Sequence, residues 1–259
     1  MNLGLEGKVA LVCGASRGLG RAVAEELAAE GALVAVCSRD ADRLAATAAE
    51  IGPDVLAVPA DLAVAGEPTR VVEVTLERFG RLDVLVTNTG GPPAGTHDTL
   101  SPEDWDRATA LLLGSVVELT TVALPSMKER GWGRILAITS VAVKQPVDNL
   151  MLSNSLRAAV TGFAATLARE VAKDGVTVNT ILPGYTSTER VTELNEANAR
   201  REGVDPEEIQ ARLEASIPLG RLAEPREFAA LAAFLASERA GYITGGAYAV
   251  DGGWLRGLL

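Results

Sequence analysis

The sequence predicts a single α/β domain, a Rossmann-type doubly wound parallel sheet of about seven strands with helices on both faces. Short β-branched runs alternate with longer Ala-rich runs of helical period along the whole chain. Apolar residues make up 47% of the 259 residues and aromatic residues only 4%, so small aliphatic side chains must fill the core, as suits helices packed on a parallel sheet. Right-handed crossovers leave few topologies for such a series, and the doubly wound sheet is the simplest of them.

Seven short apolar runs have the length and composition of buried strands. They cover residues 8–13, 33–37, 55–58, 84–87, 134–139, 176–181 and 247–250. Longer runs between them have helical period and cover residues 19–30, 41–51, 67–79, 102–128, 151–173 and 225–237, with a break in the fourth left open. The alternation predicts a series of βαβ units over one domain, residues 1–259.

Glycines and one serine–proline pair mark several helix ends. Four glycines stand where a helix stops before the next strand and left-handed backbone is wanted, namely Gly31, Gly52, Gly80 and Gly175. Ser101 followed by Pro102 predicts a helix start, with the serine as N-cap and the proline at the first helical position.

One region interrupts the alternation. Residues 186–219 are long and charged, with a helical stretch of their own from about 206 to 215. Two interpretations stay open, a substrate lid over the ligand crevice and a plain surface insertion, because excursions after a strand's carboxyl end often cover that crevice in doubly wound folds.

Composition excludes several classes of function. A net charge of −10 and a pI near 4.8 argue against a nucleic-acid partner, which needs a basic face. Cys13 and Cys37 lie in apolar runs and are predicted to be buried thiols. With a single histidine, His97, no transition-metal cluster is expected. No signal sequence precedes the first strand and no apolar run of about 18 residues is apparent, so we expect a soluble, cytoplasmic protein without a membrane partner.

The strongest local motif is the glycine-rich run at residues 14–20, Gly-Ala-Ser-Arg-Gly-Leu-Gly, between the first strand and the first helix. Glycines there permit a tight turn and a close approach to a pyrophosphate, which the N–H groups and the positive dipole end of the helix stabilise. A merely structural tight turn is the alternative. The strand–turn–helix context favours a dinucleotide site.

The spacing Gly-x-x-x-Gly-x-Gly resembles that of the short-chain dehydrogenase/reductase family, and the resemblance runs almost end to end. It includes Asp61, the run Thr87-Asn88-Thr89-Gly90, Ser140, Asn179, Pro183-Gly184, and the glycine pairs at 245–246 and 252–253. Cys13 and Thr89 depart from the family's usual threonine and alanine. The resemblance implies a nicotinamide cofactor held by Gly14, Ser16, Arg17, Gly18, Leu19, Gly20, Ser38, Arg39, Asp61, Leu62, Asn88, Thr89, Gly90, Arg157, Pro183 and Gly184.

NADP(H) is expected rather than NAD(H). Ser38-Arg39 stands at the end of the second strand, where an acidic residue would bind a ribose 2′-hydroxyl. An arginine there can pair with a 2′-phosphate, and Arg17 in the glycine loop can reach its other side. Two arginines at matching places carry this preference, since each alone is more often a solvated surface charge.

The resemblance fails at the catalytic residues. Family members use a Ser, a Tyr that donates a proton, a Lys four residues later and a relay Asn, and here Ser140 occupies the serine position. Ser153 stands where the Tyr is expected, Arg157 where the Lys is, and Leu111 where the Asn is. A serine hydroxyl is a far poorer acid than a phenol, and an arginine does not relay protons.

Another residue would have to donate the proton to the substrate oxygen. Tyr185 and Lys144 are the candidates on loops expected to face the crevice, with Asp148 a weaker one. A packing tyrosine and a surface lysine are the alternative interpretations, and His97 is expected to lie at the surface.

Residues 90–93 together with 153–157 resemble a divergent subgroup related to 3-oxoacyl-[acyl-carrier-protein] reductases, in which the Tyr and Lys are not kept. The resemblance implies reduction of a small carbonyl or 3-oxoacyl-type compound by a modified proton path. The alternative is a catalytically impaired protein that binds or senses NADP(H). Elimination chemistry, found in some relatives, fits less well because those relatives lose the glycine loop.

The resemblance also implies a homo-oligomer, a dimer or a homotetramer. In the family, the helices predicted at 102–128 and 151–173 commonly form one contact and the segment 247–259 a second. The apolar stripe on the second of these helices is equally consistent with packing on the sheet.

Overall fold

A computed structural model of the protein describes residues 2–258, and Met1 and Leu259, which the single-domain prediction also covers, lie outside the described residues. Seven parallel strands form one sheet in the order β3-β2-β1-β4-β5-β6-β7. The strands are β1 Val9–Cys13, β2 Leu33–Ser38, β3 Leu56–Pro59, β4 Val84–Thr87, β5 Gly133–Ile138, β6 Val176–Pro183 and β7 Ala247–Val250. The predicted doubly wound fold is confirmed.

Nine α-helices in the described part of the chain accompany the sheet. They are α1 Gly18–Ala29, α2 Ala41–Ile51, α3 Glu67–Phe79, α4 Pro102–Thr109, α5 Ser115–Glu129, α6 Met151–Val171, α7 Glu189–Glu202, α8 Pro206–Ser216 and α9 Pro225–Ala236. The buried side chains of α1, α2 and α9 form a core on one face of the sheet. Those of α3, α5 and α6 form a second core on the other face.

The burial of the central strands explains why their sequences are continuous apolar runs. All five residues of β1 and all four of β4 are buried, because both faces of these central strands are covered by helices. Cys13 and Cys37 are opposite each other on β1 and β2, and both are buried free thiols, as predicted.

All five predicted helix ends are confirmed, and the left-handed backbone expected at the four glycines is found at three of them. Ser101 caps α4 through a reciprocal capping box with Asp104, and Gly31, Gly80 and Gly175 have φ of +85°, +73° and +75°. Gly52 also ends α2 but has a φ of 167°, which is extended backbone open to any residue and not the expected left-handed conformation.

The fourth predicted helix has the break that the sequence left open. A five-residue π-helical turn, Ala110–Gly114, joins α4 to α5. The whole run Pro102–Glu129 has 28 residues, and its most apolar 18-residue window has a mean hydropathy of 1.6, so the expectation that no such apolar run exists is wrong. Leu119, Ala123 and Met127 of this run pack in the second core, and 39% of the apolar window is buried.

The region between β6 and α9 contains two helices where the sequence predicted one. The predicted stretch at 206–215 corresponds to α8, but α7 was not predicted, because its composition is strongly polar and only Asn195 and Ala199 are buried. A backbone bridge between Thr186 and Ala223 closes the region at its base. We use the name lid for residues 186–219 to denote their place in the fold, and their action as a substrate cover stays a prediction.

Candidate active site

A crevice of about 750 Å³ opens at the carboxyl ends of the strands, beside the point where the strand order reverses between β1 and β4. Its walls come from the glycine loop after β1, the loops after β2, β4, β5 and β6, the start of α6, and the lid. A doubly wound fold places a ligand at this position.

The glycine loop has the predicted tight turn. Gly14 and Gly18 have φ of +61° and +57°, which favour glycine, and the Asn88 side-chain amide donates to the Gly14 carbonyl at 3.2 Å. A Cβ at Gly20 would lie 2.3 Å from that same carbonyl, so Gly20 permits close packing of α1 against the loop. Asn88 therefore fixes the turn from the neighbouring strand.

The start of α1 is available to an anion. Its N-cap residue, Arg17, is extended and makes no side-chain capping hydrogen bond, so the N–H groups of the first turn are left for a ligand. Together with the glycine turn, this arrangement fits the pyrophosphate of a nicotinamide dinucleotide.

Arginine side chains surround the end of the crevice near β2. Arg17 pairs with Glu189 of the lid and also with Glu193, at 3.0 Å, while Arg43 of α2 pairs with Glu189 at 2.9 Å. These hydrogen bonds raise the pKa of Arg17 and lower that of Glu189. Arg39 lines the same end of the crevice and has no ion pair within the described residues.

Two serine hydroxyls and one guanidinium group lie at the other end of the crevice. The Ser140 Oγ accepts a hydrogen bond from the Ala142 backbone at 3.1 Å, and the Ser153 Oγ accepts one from the Arg157 Nε at 3.2 Å. Because each oxygen accepts from the protein, its O–H remains free to donate into the crevice. Arg157 also donates to the Ile138 carbonyl at 2.9 Å.

Arg157 remains a cation in this setting. Burial, and then the nearby positive charge of Arg190, lower the pKa of Arg157 to about 10, well above neutral pH. Arg190 is held near the crevice by its hydrogen bond to the Pro92 carbonyl at 3.0 Å. The serine end of the crevice therefore offers hydrogen-bond donors and positive charge, which is the environment that stabilises a developing oxyanion.

Tyr185 lines both this crevice and a neighbouring cavity of about 280 Å³ beneath the lid. Its ring meets Trp254 edge-on, with 5.6 Å between the centroids. Burial, followed by the negative charge of Asp148, raises the pKa of Tyr185, so its phenol remains protonated at neutral pH. Asp148 and Asn195 contribute polar groups to the smaller cavity.

Most of the predicted site residues line the crevice. They are Gly14, Ser16, Arg17, Gly18, Leu19, Ser38, Arg39, Leu62, Asn88, Thr89, Gly90, Ser140, Ser153, Arg157, Pro183, Gly184 and Tyr185. Their assignment to a cofactor or a substrate stays a prediction.

Four predicted or considered residues lie elsewhere. Lys144 is exposed and does not line the crevice, which removes its geometric basis as a proton donor. The Asp61 carboxylate accepts from Arg107 at 3.0 Å and from a nearby backbone N–H instead of facing the crevice. Gly20 lies behind the loop, and His97 is exposed, as predicted for it.

Several lining residues were not singled out in the sequence. The lid contributes Thr188, Glu189, Arg190 and Leu194, and α2 contributes Arg43. The long charged segment after β6 indicated the lid as a whole. The sequence did not show which of its side chains face the crevice, because that depends on helix α7, which was not predicted. Arg43 lies in α2, whereas Arg39 precedes the helix, so helical spacing does not relate the two side chains in the sequence.

Comparisons with known proteins show which proteins this chain is similar to. A family model described as enoyl-(acyl carrier protein) reductase matches residues 14–255. A 3-oxoacyl-[acyl-carrier-protein] reductase from Synechocystis sp. is 38% identical over 258 residues, covering 96% of this chain and 97% of the relative.

Two solved structures are similar over nearly their whole length. L-sorbose reductase from Gluconobacter frateurii, complexed with NADPH and L-sorbose, has a TM-score of 0.94 and 36% identity, with 100% of both chains covered. The 3-ketoacyl-(acyl-carrier-protein) reductase from Brucella melitensis, complexed with NADH, has a TM-score of 0.87 and 34% identity, with 96% of this chain and 99% of that chain covered. Both neighbours were solved in complex with a nicotinamide dinucleotide, NADPH in the first and NADH in the second.

Proposed function

Because the chain belongs to the short-chain dehydrogenase/reductase family, we propose that it is an NADP(H)-dependent reductase of a small carbonyl or 3-oxoacyl-type compound. The observation that carries the proposal is one crevice with a glycine turn and arginines at one end and free hydroxyl donors beside Arg157 at the other. Reduced nicotinamide supplies a hydride, and the carbonyl oxygen then gains negative charge that must be stabilised.

Charge at the β2 end favours NADP(H) over NAD(H). Arg17, Arg39 and Arg43 all line this end, and Arg39 has no ion pair among the described residues, whereas Glu189 pairs with the other two. The nearest acidic residue along the chain, Asp40, is occupied as the N-cap of α2 and accepts from the Arg43 backbone at 3.0 Å. An acid turned toward its own helix neither binds a ribose 2′-hydroxyl nor repels a 2′-phosphate strongly, whereas guanidinium groups pair well with a phosphate.

The proton path differs from that of the family. Ser153 and Arg157 take the places of the Tyr and Lys, and Leu111 takes the place of the relay Asn. In this proposal Ser140 and Ser153 donate hydrogen bonds to the substrate oxygen, while the charge of Arg157 stabilises the oxyanion. Neither serine is acidic enough to supply the proton near neutral pH.

Tyr185 is the group that we assign as proton donor. It lines both the crevice and the smaller cavity beneath the lid, and its raised pKa keeps the phenolic proton on the oxygen at neutral pH. The same raised pKa makes Tyr185 a weaker acid than a tyrosine activated by a lysine, so we expect slow turnover.

The experiment has two parts. Calorimetric titration with NADPH and NADH should show tighter binding of NADPH, and NADPH oxidation should be followed with a hydroxylated ketone such as L-sorbose and with a 3-oxoacyl thioester. Ser140→Ala should lower kcat/KM about 10²- to 10³-fold, since it removes an oxyanion donor, with little effect on NADPH affinity. Tyr185→Phe should lower turnover by a factor of about 10².

Thr121→Ala is the control, because Thr121 is exposed on α5 and bonds only its own helix. Tight NADPH binding without turnover on any substrate would contradict the proposed reductase activity and favour a protein that binds or senses NADP(H).

Cytoplasmic location and homo-oligomeric assembly are also part of the proposal. Sedimentation that shows only monomers would contradict the assembly.

A further inference from the structure

One carboxylate of the lid is shared by two arginines of the cofactor crevice. Glu189, the first residue of α7, pairs with Arg17 of the glycine loop and with Arg43 of α2, and all three line the crevice. The two arginines come from different elements and converge on one oxygen, the Glu189 Oε2. Such convergence of guanidinium groups on an oxyanion is the arrangement that a phosphate also requires.

The charges around this oxygen are already balanced. Arg17 and Arg43 supply two positive charges, while Glu189 and Glu193, which both accept from Arg17, supply two negative ones. A 2′-phosphate brings close to two further negative charges into the same place, and like charges at such short distances repel strongly. A phosphate and the Glu189 carboxylate therefore compete for the same donors.

We propose that Glu189 is a specificity-determining residue of the cofactor site, which occupies the 2′-phosphate position between Arg17 and Arg43 until NADP(H) displaces it. The inference rests on the proposed NADP(H)-dependent function. It assigns Arg43, beside Arg17 and Arg39, as a further ligand of the 2′-phosphate. A dinucleotide that lacks this phosphate has no group to exchange with Glu189, so the residue lowers affinity for NADP(H) selectively.

The effect should be moderate, because the pairs are partly exposed to solvent. The side chains of Arg17, Arg43 and Glu189 retain 44%, 46% and 53% of their exposure. Ion pairs with this exposure are screened by water and salt and are weak. The free energy of binding a phosphate group is therefore sufficient to replace these ion pairs.

The test measures binding and needs no turnover. NADPH and NADH are titrated into the full-length wild-type protein and into Glu189→Gln, which removes the charge and keeps the shape of the side chain. We expect NADPH affinity to rise about three- to tenfold in Glu189→Gln, with NADH affinity unchanged and with a smaller gain at high salt. Arg43→Ala should weaken NADPH binding and reduce the gain from Glu189→Gln when the two changes are combined.

Glu196→Gln is the matched control, because Glu196 lies on the same helix and its carboxylate faces Arg200, at 3.9 Å, instead of the crevice. NADPH affinity in this variant should equal that of the wild type. Unchanged NADPH affinity in Glu189→Gln, or an equal gain for NADH, would overturn the inference and leave the proposed function standing. A wild-type protein that binds neither dinucleotide would overturn the proposed function itself.

Discussion

Replacing Gly20 by alanine tests the contact on which the glycine loop depends. The new Cβ would lie 2.3 Å from the Gly14 carbonyl oxygen and 2.7 Å from the Asn88 amide nitrogen. Both distances are far below van der Waals contact, and two of the three nearest atoms are backbone, so the loop must move away from α1. That movement also breaks the 3.2 Å hydrogen bond between Asn88 and Gly14.

The magnitude follows from these contacts. Forcing a methyl group into a packed site costs about 1–3 kcal/mol, and the lost hydrogen bond adds about 1 kcal/mol. Alanine recovers up to about 1 kcal/mol of helix propensity within α1. The net loss of about 1–3 kcal/mol should lower Tm by roughly 2–12 °C, at about 2–4 °C for each kcal/mol.

Two measurements check this expectation. Thermal unfolding gives the change in Tm, and calorimetry should show NADPH affinity at least about tenfold weaker, since the displaced loop no longer presents its N–H groups to the pyrophosphate. Gly162→Ala is the control, because Gly162 lies within α6 with open space around it, and it should be as stable as the wild type or more so. A Gly20→Ala protein that melts within about 1 °C of the wild type and binds NADPH equally well would refute the reasoning.

Three further predictions concern stability and chemistry. Asp83 is fully buried, accepts from the Val9 N–H at 2.8 Å and pairs with the half-exposed Arg81. Asp83→Ala leaves that N–H without an acceptor, so it should cost about 1–3 kcal/mol in chemical denaturation, and an unchanged free energy of unfolding would contradict this. Two hydrogen bonds from Arg221 lower the pKa of Glu227 to about 2, so its stabilisation is complete above pH 4.5 and is lost towards pH 2. Glu227→Gln should therefore lower Tm at pH 7 and differ less from the wild type at pH 3, and a constant difference would contradict this. Ser153→Tyr combined with Arg157→Lys should raise turnover by about 10²- to 10⁴-fold by restoring the family's acid, and unchanged turnover would count against the proposed proton path.

Local patterns were sufficient for the elements and much of the crevice. The β-branched runs correctly located the strands, because a parallel sheet covered on both faces needs uninterrupted apolar strands. The glycine loop was predictable since φ values such as +61° at Gly14 favour that residue type. Ser140 and Ser153 were found through the resemblance to the family, at the positions of its Ser and its Tyr, and both line the crevice.

Other features depended on contacts between distant parts of the chain. Helix α7 has a weakly apolar sequence, so its position depends on packing against α8 and on contacts with the crevice. Lys144 and Asp61 were expected to face the crevice and do not, because a loop's direction depends on its neighbours, as the contact between Asp61 and Arg107 illustrates.

The sequence by itself determined the fold class and the glycine turn, because both depend on residue type and local spacing. Tertiary structure decided which charges meet. Arg17 and Glu189 are 172 residues apart, and only the return of the chain through β6 and the lid brings the carboxylate to the arginine. Ion pairs form between groups a few ångströms apart in space, and the number of residues between two groups in the sequence does not indicate that distance.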